Sequence, residues 1–266
     1  MRRLFALLLL LWPLSAPAEG VEVDVELLLL VDVSRSMSPF ELEIQRRGYA
    51  EALLSPEVLT AVQAGLLGRV ALSYVEWAGA QSQRMIVDWT VIENVEDARA
   101  FVQQLTRSFP EGMQRTSIAG ALEHGAKMLE RNDFTGLRRV IDISGDGPNN
   151  QGLDVTVARD RVLAQGIVIN GLPLMTRDAV NTPWQLDDLD LYYVNCVIGG
   201  PGAFVIPVTR WEEFAEAVRR KLVLELVGLP DVPVIQARAT GVLPGGYDCR
   251  IGEKMWERNR RYWDVP

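Results

Sequence analysis

Residues 24–37, DVELLLLVDVSRSM, run as a hydrophobic strand into Asp-x-Ser-x-Ser, which places Asp32, Ser34 and Ser36 together. One carboxylate and two hydroxyls are thereby delivered at the tip of a buried strand. Hard oxygen donors of this kind suit Mg²⁺ or Mn²⁺ and not zinc or copper. The same residues also have a plainer use, because Ser38-Pro39 makes an N-cap followed by proline at the first helical position, and a serine-rich turn leads into it. A three-residue motif matches by chance unless its surroundings agree.

The elements that would have to position such a site follow in alternation. Pro39 to Leu54 reads as a helix, with Phe40, Ile44, Tyr49 and Leu53 at helical spacing, and a turn region follows it. Val70–Trp77 and Met85–Ile92 read as two strands joined at Gly79 in a hairpin. Val95 to Ser108 is a helix, FPEGMQR (109–115) a polar loop, and Thr116 to Arg131 a helix periodic through Ile118, Leu122, Ala126 and Leu129. A strand over Arg139–Ser144 breaks into Gly145-Asp146-Gly147-Pro148-Asn149-Asn150, a run of turn residues. Val155–Gln165 is helical, Gly166 stops it, and Ile167–Pro173 is the next strand. Ala203–Val208 reads as a last strand and Trp211–Val227 as a last helix. From Gly228 onward the composition suggests an irregular tail. Strands separated by helices make a mostly parallel, doubly wound α/β sheet in three layers, with one antiparallel edge strand from the hairpin. Ligands bind such a sheet at the carboxyl ends of its strands. Asp32 and Asp146 both fall there, and Thr116 heads a helix between them.

Composition narrows the class. Arg2 and Arg3, the apolar run Leu4 to Trp12 and Ala16-Pro17-Ala18 have the three-part form of a secretory signal peptide over residues 1–18. The run is well short of the roughly 20 residues that span a bilayer. Removal of this segment takes two arginines from a chain of formal charge −8, leaving an acidic exported protein, periplasmic or secreted, with no transmembrane segment. Nucleic-acid binders carry basic footprints, and so acidic a balance argues against that class. Its two cysteines, Cys196 and Cys249, form an isolated pair in an oxidising compartment and predict a disulfide. Closing a loop of that length stabilises by about 4 kcal/mol in the chain-entropy description. A single histidine, His124, and no C-x-x-C argue against a zinc site.

Residues 24–228 resemble the von Willebrand factor type A domain family. DVSRSM differs from that family's usual first loop, Asp-x-Ser-Gly-Ser-Met, only at Arg35; RTSIAGAL (115–122) resembles its second element, and SGDGPNN (144–150) its third, usually Thr-Asp-Gly. The resemblance implies a metal-ion-dependent adhesion site, in which Ser34, Ser36 and Thr116 supply hydroxyls and Asp32 and Asp146 carboxylates to one Mg²⁺ or Mn²⁺. A protein partner's Asp or Glu carboxylate would take the open position. The chain departs from the pattern at Gly145, in place of threonine, and at Gln114-Arg115, where glycine commonly precedes Thr116. Arg35 and Arg115 put positive charge beside the ion. More narrowly, the exported form, the tail and the paired cysteines resemble a bacterial family known as domain of unknown function 1194. Residues 229–266 would be a C-terminal extension tethered by the disulfide.

Other residues carry plainer expectations. His124 reads as a helix-surface or core residue, Asp142 as a half-buried strand acid outside the site, and Trp256, Tyr262 and Trp263 as aromatics packed on their own domain while Arg258, Arg260 and Arg261 stay solvated. The leading function is a metal-dependent protein-binding module that is not an enzyme. The alternatives are a structural part of an envelope assembly with a vestigial metal site, and a metal-dependent hydrolase using Ser34, Ser144 or metal-activated water. Against the hydrolase, Ser144 lacks the G-x-S-x-G elbow.

Overall fold

A computed structural model of the protein describes residues 20–107, 112–176, 185–228 and 246–263. The expected signal peptide lies outside them. A five-stranded sheet has the order β3-β2-β1-β4-β5, with β1 (Val21–Asp32) at its centre, flanked in parallel by β2 (Val70–Trp77) and β4 (Phe134–Gly145). β5 (Ile167–Pro173) continues the parallel order, while β3 (Gln83–Ile92) pairs antiparallel with β2 as the edge. The mostly parallel α/β fold with one antiparallel edge strand is thus observed.

The alternation along β1 builds the two helical layers. Leu27, Leu29 and Val31 point to one face, where α1 (Pro39–Leu53), α2 (Pro56–Gln63), α3 (Val95–Leu105) and α7 (Phe214–Val227) pack. Leu28 and Leu30 point to the other, under α4 (Ile118–Arg131), α5 (Val155–Leu163) and the α6 segment (Leu189–Tyr192). A strand buried on both faces needs apolar residues without a break, which explains the run of four leucines. Edge strand β3 instead mixes exposed and buried positions. Among the described residues, no helix is long and apolar enough to cross a membrane.

Three details differ from the sequence expectations. The turn region after the first helix contains α2, started by Ser55, whose side chain accepts from Val58 N, and by Pro56. Residues 203–208 run beside β5 only through single bridges at Val205 and Val208: the N–H groups of Ile206 and Val208 donate to the carbonyls of Gly171 and Pro173, but Pro173 on β5 has no N–H to return a bond between them. The expected irregular tail ends in a helix, α8 (Ile251–Trp263); residues 229–245 lie outside the described residues. Apolar Ile251 and Met255, one turn apart, face the body of the protein. Cys249, just before α8, is disulfide-bonded to Cys196, with Cα atoms 5.5 Å apart.

Candidate functional site

Asp32 ends β1 and is fully buried. The Ser34 N–H donates to its Oδ1 at 2.7 Å, while Oδ2 is buried with no hydrogen-bond partner. Ser34 and Ser36 follow in the turn that precedes α1, their hydroxyls 3.0 Å apart. The cap reading holds as well, because Ser38 and Glu41 form a reciprocal capping box. Helix start and oxygen cluster therefore share one turn.

β4 brings the second carboxylate alongside. Val31 pairs with Ser144, so Asp146 emerges beside the Ser34–Ser36 turn. Its Oδ1 accepts from Ser36 Oγ at 2.9 Å and from Ser34 Oγ at 3.4 Å. Thr116 comes from the loop ahead of α4 and lines one cleft with Ser36 and Asp146. That cleft measures about 50 Å³, room for a few water-sized groups. All five expected residues thus converge.

Asn149 and Asn150 hold this arrangement, and the sequence reading took them only as loop. Asn150 Oδ1 accepts from Thr116 N–H at 3.1 Å, and Asn149 Oδ1 from Ala119 N–H at 3.0 Å, locking the Asp146 loop to the start of α4. Gly145 has a steric reason: a Cβ there would lie 2.9 Å from Asp32 Oδ2 and 3.0 Å from the Tyr193 hydroxyl. No threonine fits in its place without displacing one of them.

Electrostatics set the site apart. Burial, reinforced by the Asp146 charge, pushes the Asp32 carboxyl well above its usual range. Burial is also what lifts Asp146, to about 6. Among the described residues, neither carboxylate forms an ion pair within the protein, and no three His, Cys, Asp or Glu side chains gather as a metal-ligating group. What the site offers is two carboxylates and three hydroxyls, a donor set suited to a hard divalent cation. Asp32 Oδ2 is an acceptor with no donor among the described residues.

The remaining expectations resolve as follows. Asp142 is fully buried, beyond the half-buried position expected, with Lys221 Nζ 2.7 Å from its Oδ1. His124 lies partly buried on α4, and Ser144 is wholly buried, out of reach of a substrate. Arg115 stacks on Trp256 of α8, 4.1 Å from the ring centroid. The side chains of Arg260, Arg261, Tyr262 and Trp263 lie outside the described residues. The disulfide and α8 bring Gly252 and Met255 to the rim of the cleft, a contribution hidden from sequence by the intervening 229–245 segment.

Among curated proteins, none matches this sequence. Solved structures do resemble it. Proximal thread matrix protein 1 from the mussel byssus is 17% identical, with 79% of this chain and 49% of that one covered at a TM-score of 0.53. The same protein has been solved with a zinc-occupied MIDAS motif. The pilus adhesin SpaC from Lactobacillus rhamnosus GG is 13% identical over 77% of this chain and 30% of that one, with a TM-score of 0.56. The von Willebrand factor domain of the pilus tip protein Mfa5 from Porphyromonas gingivalis is 12% identical over 81% and 99%, with a TM-score of 0.53. The chain spans half or less of the first two proteins, and at these identities the likeness shows the fold alone. Residues 22–230 match the family described as Protein of unknown function (DUF1194), and the chain, built on the von Willebrand factor type A fold, belongs to that family.

Proposed function

We propose that Asp32, Ser34, Ser36, Thr116 and Asp146 hold one divalent cation, Mg²⁺ or Mn²⁺, and that the protein is an exported, non-enzymatic module that binds the Asp or Glu carboxylate of a protein partner through it. The observation that carries this reading is a fully buried and a half-buried carboxylate with hydroxyls around them, no cationic side chain among the described residues paired to them, and one oxygen, Asp32 Oδ2, without a partner. The cation would supply an electrophilic position for an incoming anionic oxygen. Ser34 N–H fixes one Asp32 oxygen and leaves the other unpaired. Two carboxylates balance a divalent charge while hydroxyls add none, so attraction for a third carboxylate is retained. Asn149 and Asn150 keep Thr116 in register with the Asp146 loop.

Export is supported by the leader-like residues 1–18 and by the disulfide, a bond that persists in oxidising compartments. Resemblance to proteins named for byssus and pili agrees with binding rather than catalysis. Burial of Ser144 takes away one candidate nucleophile.

Thermal unfolding in EDTA, Mg²⁺, Mn²⁺, Ca²⁺ and Zn²⁺, beside Asp32→Ala, tests the reading. At a hundredfold excess over Kd, linkage stabilises by about 2.7 kcal/mol, a rise of several degrees in Tm. The rise should vanish in Asp32→Ala. A melting temperature that no cation moves overturns the proposal.

A further inference from the structure

Arg115 is, among the described residues, the one non-glycine with a left-handed backbone, at φ 73°. Outside glycine, asparagine and aspartate that conformation is disfavoured by the Cβ, and strained residues that persist are held by their surroundings. Here the holder is visible. The guanidinium lies over the Trp256 ring, and Trp256 belongs to α8, which is fixed by several contacts. The Cys196–Cys249 bond precedes α8, Asn149 Nδ2 donates to Glu253 at 2.6 Å, and Gly252 packs so close that a Cβ would come within 2.1 Å of the Asn149 carbonyl oxygen.

The strain positions a charge. Arg115 and Arg35 line a cavity of about 360 Å³ together with Ser34, Ser36, Thr116 and Trp256. Three of those residues are proposed cation ligands, so this cavity opens beside the same oxygen cluster. Both arginines are exposed, and among the described residues neither forms an ion pair with a carboxylate. Elsewhere on this acidic chain, arginines such as Arg161, Arg210 and Arg219 do pair with acids. Two arginines left unpaired on one wall, one of them held at a conformational cost, are placed for an anion from outside.

We infer that Arg35 and Arg115, the latter positioned by Trp256, form an anion subsite beside the cation position, so that the partner segment recognised here carries two carboxylates. One reaches the cation and the second meets the guanidinium wall, where the planar fork of donors suits a carboxylate. This rests on the cation reading above. It gives the C-terminal helix a part in recognition, since α8 supplies the ring that fixes Arg115.

The test is calorimetric titration of the full chain, in Mg²⁺, with two synthetic peptides of equal length. One carries two aspartates separated by glycine, and the other has the second aspartate replaced by asparagine. The diacidic peptide should bind about tenfold tighter. Arg115→Gly, which suits the backbone and removes the charge, should reduce that ratio to below about twofold while leaving the Mg²⁺ shift in Tm intact; Arg115→Lys should retain part of it, and Trp256→Ala should lower it. Equal binding of the two peptides with an intact Mg²⁺ shift overturns the subsite alone. A ratio unchanged in Arg115→Gly also overturns it, since a purely structural arginine would leave peptide discrimination untouched. Absence of any Mg²⁺ shift in the parent protein is the separate failure of the cation reading, and the subsite falls with it.

Discussion

Two groups of carboxylates at the sheet of this protein are satisfied in different ways. Between β4, β5 and α7, Asp142 and Glu225 share Lys221, which ion-pairs with both, and Asn170 Nδ2 donates to Glu225 at 3.0 Å. At the carboxyl ends of β1 and β4, Asp32 and Asp146 have hydroxyls and a backbone N–H but, among the described residues, no lysine or arginine paired to them. Both groups sit on the same strand: Asp142 and Asp146 are one helix-turn's worth of sequence apart on and just past β4. A buried charge without a partner is costly, and ordinarily the chain supplies one. It does so again at Glu76, which meets Arg46 at 2.7 Å and Arg84 at 2.8 Å. Asp142, Glu225 and Glu76 come with their own cations, and buried Asp24 and Glu26 have both oxygens met by N–H donors, whereas Asp32 keeps one oxygen, Oδ2, with neither. That contrast points to a countercharge from solution.

Removing the internal countercharge should have the largest effect. Lys221→Met leaves Asp142 and Glu225 buried without a cation, and breaking a buried pair in this way costs about 3–5 kcal/mol. Urea unfolding at pH 8 should show that loss. At pH 5 it should shrink, because burial, with Asp142 adding to it, already raises Glu225 to about 7 and protonation relieves the repulsion. An equal loss at both pH values would mean that packing, and not charge, dominates there.

The converse substitution at the strand ends should act with the opposite sign. Asp32→Asn keeps the shape and deletes one of two uncompensated charges, so in EDTA the protein should be more stable than the parent by about 1 kcal/mol, while the Mg²⁺ response disappears. Loss of stability in EDTA equal to that of Lys221→Met would erase the distinction between the two regions.

The smallest effect is in pH dependence. Acids raised in the folded state bind more protons there than in the unfolded chain. Their contribution is therefore most favourable below the usual carboxylate pKa and is lost as pH rises through the raised value. Asp146, raised to about 6, places its part of that window at about pH 4–6. A cation must displace those protons, so the Mg²⁺ shift in Tm should be slight at pH 5 and reach its full size above pH 7. The Lys221 cluster titrates alike with and without Mg²⁺ and cancels from the difference. A shift that stays flat from pH 5 to 8 would detach the cation from Asp146.

Much of this was legible in the chain. The Asp32-x-Ser34-x-Ser36 turn, Thr116 before a helix and Asp146 after a strand could be placed because each follows or precedes an element with strong periodicity, and parallel order sends all of those ends to one edge. Helix α2 was missed although Ser55-Pro56 is a start signal, because eight residues carry too short a pattern to stand out. The strand expected at 203–208 is reduced to single bridges, because Pro173 on the neighbouring β5 has no N–H to donate to it. Asn149 and Asn150 read as turn formers, and only the fold shows their side chains bridging to α4. The part played by α8 was the least legible, since the cysteine before it says that it is tethered without saying where it lands.

The central place of β1 also bears on how this protein holds together over time. Its β2 neighbour is the nearer partner in sequence, whereas β4 returns from much farther along the chain, and Ser36 meets Asp146 across 110 residues. Contacts so distant in sequence close late in folding, after the long loop between them has been ordered. A ligand that requires both carboxylates finds no purchase on earlier, looser forms. It would hardly hasten refolding, and its effect would fall on the escape from the native state, lengthening the lifetime of the folded molecule.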